Sequence, residues 1–148
     1  MHIVPLADCP QHLETAARWL WDEWHGQYGN RDFEQVRATL FDKPGRPPAL
    51  LAIDGAPVGV IVFRRVKFHG QEPLRLFINA LFVTAEHRRR GIATALLGDA
   101  LSRVGTEHDT IYVYTHLRDW YQARGFTFVK EEAETKNVVL CRANQNAR

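Results

Sequence analysis

The chain has 148 residues, the size of one domain, and such a domain buries roughly 68–70% of its unfolded surface, enough for a core without metals or disulfides. Its 45% apolar and 24% charged residues are ordinary globular values, which excludes disorder for the body of the chain. The net charge of +2, with acids and bases mixed along the chain, lacks the basic excess of a protein that grips many phosphates, so no nucleic-acid partner is expected. Cys9 and Cys141 stand near opposite ends and outside any CxxC pair, so reduced thiols and no metal are expected. No secretory pattern precedes Asp8 and Pro10, and no apolar run approaches the ~20 residues of a membrane span. A soluble cytoplasmic protein without a membrane partner is the expectation.

In chain order, His2 to Ala7 reads as a short strand. Asp8, with Gln11 three residues on, reads as the cap of a first helix, whose apolar stripe is Leu13, Ala16, Ala17, Leu20 and Trp24. Gly26 and Gly29 would end it, and Asp32 would cap a second helix with Phe33, Val36 and Leu40 inward. Residues 42–48 (DKPGRPP) read as a loop. Ala49 to Ile53 and Val58 to Phe68 read as strands joined at Asp54-Gly55, a hairpin signal. His69 to Pro73 reads as a polar loop, and Leu74 to Val83 as a long apolar strand. Ala93, Leu96, Leu97, Ala100, Leu101 and Val104 then give a clean helical stripe. Asp109 to Thr115 is a strand, and Leu117 to Arg124 a short helix closed by Gly125. Phe126 to Lys130 and Asn137 to Arg142 are the last strands, before a polar tail expected to fray from Ala143. The order gives a mixed α+β domain over 1–148 around a central sheet, without internal repeats.

The chemistry-bearing feature is the turn Arg88-Arg89-Arg90-Gly91-Ile92-Ala93, between the strand ending at Val83 and the helical stripe. The N–H groups of a first helical turn have no intrahelical acceptor and sit at the positive end of the helix dipole, so they receive a pyrophosphate. Gly91 and small Ala93 let the backbone approach it, and the arginines add charge. Taken alone, the turn also fits a solvated basic connection before a core helix. It is neither a P-loop nor a dinucleotide fingerprint.

Arg88 to Ala93 matches the [QR]xxGx[GA] motif of the GNAT superfamily, the Gcn5-related N-acetyltransferases, and Leu76 to Val83 resembles that family's fourth strand. Downstream, Trp120-Tyr121-Gln122-Ala123-Arg124-Gly125-Phe126 resembles its YxxxGF segment. Two motifs in order, about 30 residues apart, are far less probable by chance than one. The similarity spans Ala49 to Cys141, and Tyr112 to Thr115 followed by a helix looks like bacterial members of unassigned substrate. The resemblance implies a mixed, mostly antiparallel sheet of about six to seven strands with about four helices, splayed between strands 4 and 5.

It also implies acetyl-CoA as co-substrate. Leu81, Phe82 and Val83 would lie along the pantetheine arm, with backbone groups of Leu81 and Val83 as partners. Arg88, Arg89, Arg90, Gly91, Ile92, Ala93 and Thr94 would hold the pyrophosphate, and Thr115 and Tyr121 would line the far side of the gap. The reaction is direct acetyl transfer to a primary amine of a small molecule or peptide, without a covalent enzyme intermediate. Tyr121 matches the family's proton donor to the departing thiolate; the other reading is a core ring packed on Phe126. For the base, Glu23, His25, His116 and ordered water all stand open. The oxyanion would be met by a backbone N–H of the fourth strand.

In this family the acceptor site is bordered by the first helices and the loop between the last strands. Here those segments carry Trp19, Trp21 and Trp24, and the acids Asp22, Glu23, Glu131, Glu132 and Glu134. Trp24 continues the core stripe, whereas Trp19 and Trp21 leave it, to face a ligand or to cover core edges. The acids would suit a cationic amine, or form only a solvated face. Edge-strand dimers are common in the family, so a homodimer is an expectation. A non-catalytic CoA-binding sensor of the same fold is the alternative reading; it would not need Tyr121.

Overall fold

The computed structural model describes residues 1–24, 32–132 and 135–147. The described elements are the strands β1 (His2–Pro5), β2 (Leu50–Asp54), β3 (Ala56–Phe68), β4 (Gln71–Val83), β5 (Thr110–Thr115), β6 (Thr127–Glu131) and β7 (Val138–Ala143) and the helices α1 (Leu13–Trp24), α2 (Phe33–Ala38), α3 (Ile92–Ser102) and α4 (Arg118–Gln122), in the order β1-α1-α2-β2-β3-β4-α3-β5-α4-β6-β7. The sheet order is β1-β2-β3-β4-β5-β7-β6. Every neighbouring pair is antiparallel except β4 and β5. A parallel pair needs a crossover, and the segment through α3 supplies it. Here the expected mixed, mostly antiparallel sheet with four helices is the architecture found.

The central strands are apolar on both faces because helices cover both. Leu50, Ile61, Phe63, Leu76, Ile78, Ile111, Val113 and Leu140 meet Leu96, Leu97 and Ala100 of α3, with Tyr121 of α4. On the opposite face Leu51, Val60, Val62 and Ala80 meet Ala16, Ala17 and Leu20 of α1 and Val36 of α2. Leu50 and Leu51 are both fully buried yet belong to opposite cores, which is the period of two at work. No described helix is long and apolar enough to cross a membrane.

Two boundaries differ from the sequence reading. Asp8 does not cap α1: β1 stops at Pro5, two short 3-10 turns occupy Leu6–Asp8 and Pro10–His12, and α1 starts at Leu13. The polar stretch at His69 is no five-residue loop. Phe68 pairs with Gln71 around His69 and Gly70, at φ 53° and 71°, the two left-handed residues that a tight hairpin demands. Polar Gln71 and Glu72 and proline Pro73 disguise this start of β4. The Asn144 amide nitrogen donates to Gly105 O and His108 O, and that of Asn146 donates to Leu101 O, Ser102 O and Val104 O, satisfying carbonyls at the end of α3. Asp32 does cap α2, in a reciprocal capping box with Gln35.

Arg46 ties the loop after α2 to the sheet. Its guanidinium donates to Phe63 O, Thr39 O and Phe41 O at 3.0, 2.6 and 2.5 Å. Burial pulls its pKa below the usual guanidinium value, and nearby Asp42 opposes that shift. Arg46→Met keeps an apolar stem and strands these carbonyls. It is expected to lower unfolding free energy by about 2–3 kcal/mol, a Tm fall of roughly 4–12 °C by differential scanning calorimetry.

Candidate active site

β4 and β5 are in register only over Leu76–Ile111, Phe77–Tyr112 and Ile78–Val113. Beyond Ile78, β4 continues to Val83 without that neighbour. The departure coincides with a bulge: Val62 faces Ala80 and Phe63 faces Ile78, so Asn79 is the extra residue. A bulge bends its strand and raises local twist, which carries β4 away from β5. The gap is a cavity of about 470 Å³ whose lining includes Asn79, Leu81, Thr115, His116 and Tyr121.

Thr84 N donates to Val58 O at 2.9 Å, so the alternation of an antiparallel ladder turns Phe82 and Thr84 toward β3. Leu81 and Val83 then present their backbone groups on the side that β5 has left. One of these is taken, since Arg88 Nε donates to Val83 O at 2.9 Å. Asn79 carries the one buried side-chain nitrogen or oxygen without a hydrogen-bond partner among the described residues, its amide nitrogen. Sequence reasoning missed Asn79, because a bulge leaves no periodic signature in a strand apolar on both faces.

The turn after β4 is shaped to receive an anion. Gly91 is the N-cap of α3 in a left-handed conformation, φ 79°, with no side-chain cap and no acid in the first turn. The ladder begins with Ala95 N donating to Gly91 O, so the N–H groups of Ile92, Ala93 and Thr94 lie ahead of it. Arg89 is also left-handed, φ 65°. Backbone that enters this region repeatedly gathers N–H groups into an anion-binding concavity. A Cβ placed on Gly91 would meet nothing within 4 Å, so the protein leaves that space open. Arg88, Arg89 and Arg90 are all exposed, and Arg88 folds back on Val83 and Phe82.

A further arginine, also missed, reaches this turn from just beyond the end of α4. Arg124 lies over the Trp120 ring at 3.8 Å, donates to Trp120 O, and sends Nε and Nη2 to Thr94 Oγ1 at 3.2 and 3.0 Å. It therefore joins the YxxxGF segment to the first turn of α3. Thr115 Oγ1 accepts from Leu117 N and starts α4, and Phe126 N returns to Tyr121 O past Gly125 at φ 90°. Tyr121 is only 4% exposed, edge-on to Trp120 and Phe126. No hydrogen bond among the described residues uses its hydroxyl, and burial pushes its pKa above the usual tyrosine value, against the charge of Arg124.

The Acetyltransferase (GNAT) family model matches residues 13–136. The chain belongs to this family. Its reaction is acetyl transfer, with acetyl-CoA as co-substrate. Among solved structures it resembles an aminoglycoside 6'-N-acetyltransferase complexed with coenzyme A, at TM-score 0.76 and 18% identity over 97% of each chain. The aminoglycoside 6'-N-acetyltransferase of Enterococcus faecium gives TM-score 0.72 and 19% identity over 97% of each chain. A chain of the NatC complex bound to Gag peptide and CoA gives TM-score 0.71 and 22% identity, over 97% of this chain and 99% of that one. At these identities the likeness is one of fold. No curated protein matches significantly.

All three tryptophans pack against the core on the α1 side of the sheet. Trp24 sits edge-on to Phe82 at 6.4 Å, as its place in the stripe implies, and also lines the cavity, because the last turn of α1 ends where β4 and β5 part. Trp19 packs on Phe82 at 5.4 Å and Trp21 edge-on to Phe33 at 6.1 Å. Of the candidate bases, His116 lines the cavity, Glu23 is exposed and outside the lining, and His25 lies outside the described residues. None of Asp22, Glu23, Glu131 and Glu132 lines the cavity, and Glu132 instead sits 3.6 Å from His69. Glu134, like Gly26 and Gly29, lies outside the described residues.

Proposed function

We propose that this acetyltransferase moves the acetyl group of acetyl-CoA directly to the primary amine of a small molecule or peptide. The observation that carries the reading is that Tyr121 lines the very cleft opened by the parting of β4 and β5. In this reading the free edge at Leu81 and Val83 holds the pantetheine arm. The first turn of α3, with Arg89, Arg90 and Thr94, holds the pyrophosphate. Beside that turn lies a cavity of about 710 Å³ whose lining includes Thr94, Gly98, Arg124, Arg142 and Asn144, and this suits the nucleotide end.

Between these, the amine nitrogen bonds the acetyl carbon while the carbon–sulfur bond breaks. One amine proton passes to water or to His116, Tyr121 O–H supplies a proton to the sulfur, and the proton released by the amine then restores the phenol through water, so none is gained or lost overall. A backbone N–H of β4 meets the charge that develops on the carbonyl oxygen.

The test is a free-thiol assay with acetyl-CoA against amino acids, amino-acid amides, peptides, polyamines and aminoglycosides, together with calorimetric titration of acetyl-CoA. The expected result is acetylated amine formed one-for-one with free thiol. Tight binding without turnover on any amine would instead favour the sensor alternative.

A further inference from the structure

In the proposed reaction the thioester is held by β4 and the first turn of α3, whereas Tyr121 stands on α4, beyond β5. Proton transfer needs the acid within hydrogen-bond reach of the sulfur, and a misplacement of about 1 Å can cost on the order of a hundredfold in rate. The docking of α4 on α3 therefore sets the reaction geometry. Among the described residues, the hydrogen bonds that join the YxxxGF segment to α3 are those from Arg124 Nε and Nη2 to Thr94 Oγ1. The third guanidinium nitrogen donates to Trp120 O, and Arg124 Cζ lies 3.8 Å from the centroid of the Trp120 ring, itself edge-on to Tyr121 at 4.8 Å. The Arg124 backbone is held as well. Its N–H donates to Tyr121 O at 2.9 Å, and its carbonyl accepts from Arg142 Nη1 of β7 at 2.6 Å. Arg142 fills the space beside Gly125, where an added Cβ would come within 3.0 Å of it. Arg124 is thus fixed from β7 and α4 and reaches across to α3.

We infer that Arg124 is a positioning residue for the transfer step: by tying α4 to the first turn of α3 it holds the Tyr121 hydroxyl at the sulfur of the bound thioester. This rests on reading Tyr121 as the proton donor. Thr94 and Arg124 line the cavity beside the phosphate turn and Tyr121 lines the cleft, so the tie runs from the place where the nucleotide end is held to the place where sulfur leaves. The charge acts in the same direction. Burial raises the Tyr121 pKa, and Arg124 is the opposing influence, so the phenol is a stronger acid with Arg124 present than without it.

The experiment is a double-variant cycle on the amine that gives turnover in the free-thiol assay, with kcat and the Kd for acetyl-CoA measured for Arg124→Met, Arg124→Lys, Tyr121→Phe and each pair. Arg124→Met keeps an apolar stem over Trp120 and removes the fork and the charge. Its kcat should fall about tenfold while Kd moves by less than about threefold, because the N–H groups of α3 are untouched. Arg124→Lys keeps the charge and should recover part of the loss. In the Tyr121→Phe background Arg124→Met should cost less than about twofold more, since a residue that acts through the tyrosine has nothing left to place. Thermal melts check folding, and the lysine variant carries the same cycle if the methionine one unfolds. Losses that multiply in the double variant would make Arg124 a general support of the fold and overturn the inference. A Kd raised about tenfold at unchanged kcat would make it a phosphate ligand and also overturn it. Both outcomes leave Tyr121 as the proton donor. If Tyr121→Phe alone leaves kcat unchanged, the proton-donor reading fails and takes this inference with it, as does the absence of turnover on any amine.

Discussion

Gly91→Val should raise the Kd for acetyl-CoA about a hundredfold, whereas Arg90→Ala should raise it only a few-fold. At φ 79°, Gly91 occupies a backbone region that costs an ordinary L-residue about 1–2 kcal/mol and a β-branched one more. No neighbour within 4 Å of a Cβ forbids the added side chain, so the effect comes from backbone strain and from filling the open space, not from a clash within the protein. Relief of the strain turns the peptide planes around Gly91, and the N–H groups of Ile92, Ala93 and Thr94 lose their common aim. Each charge-assisted bond so lost is worth about 1.5–3 kcal/mol. Arg90 is exposed, and an exposed charge contributes about 0–1 kcal/mol and is screened by salt. Calorimetric titration at two ionic strengths separates the two: the Arg90→Ala deficit should shrink at high salt and the Gly91→Val deficit should persist. Arg90→Ala as the more damaging change would mean that side chains, not backbone, bind the phosphates.

What could be read from the sequence follows from how local its causes are. The stripe from Ala93 to Val104 and the capping residues Asp32 and Gln35 act within a turn or two, and α3 and the capping box stand as expected. The glycine turn was legible because φ > 0 and a helix start are both short-range requirements. Its association with the YxxxGF segment came from resemblance, and the Arg124–Thr94 bond that joins the two spans 30 residues and has no local signal. Asn79 was illegible for a similar reason. Its unpaired state depends on a bulge opposite Phe63 and on β5 ending its register at Val113, both set by strand partners. That core-packed Trp24 also reaches the cavity was illegible because the stripe of a helix says which face is buried, not where its last turn ends in space. The contacts of Asn146 with three carbonyls near the end of α3 were illegible for the same reason, since their partners lie more than 40 residues away in the chain.

Tyr121→Phe should lower kcat by about a hundredfold while Kd for acetyl-CoA moves by less than about twofold. The substitution keeps the ring edge-on to Trp120 and Phe126, at 4.8 and 5.2 Å, so the core around α4 should survive. What disappears is one hydroxyl in the wall of the cleft, the group assigned to protonate the leaving sulfur. Burial holds that phenol above the ordinary tyrosine value, so it keeps its proton over the whole working range. The kcat/KM of the unmodified enzyme should therefore climb with pH as the amine loses its proton, without a falling limb below about pH 9.5. The raised pKa also bounds the measurement. The unfolded chain loses the Tyr121 proton first, above about pH 10, so this residue's contribution to stability is intact below that pH and fades above it. Within that window the Tyr121→Phe profile should run parallel to the original and about a hundredfold lower, because the base that sets the rising limb is untouched. A weakened Kd at unchanged kcat would assign Tyr121 to packing along the pantetheine arm. A profile that changed shape would place the tyrosine on the amine side of the reaction, where the same hydroxyl would be handling the proton that the nitrogen gives up.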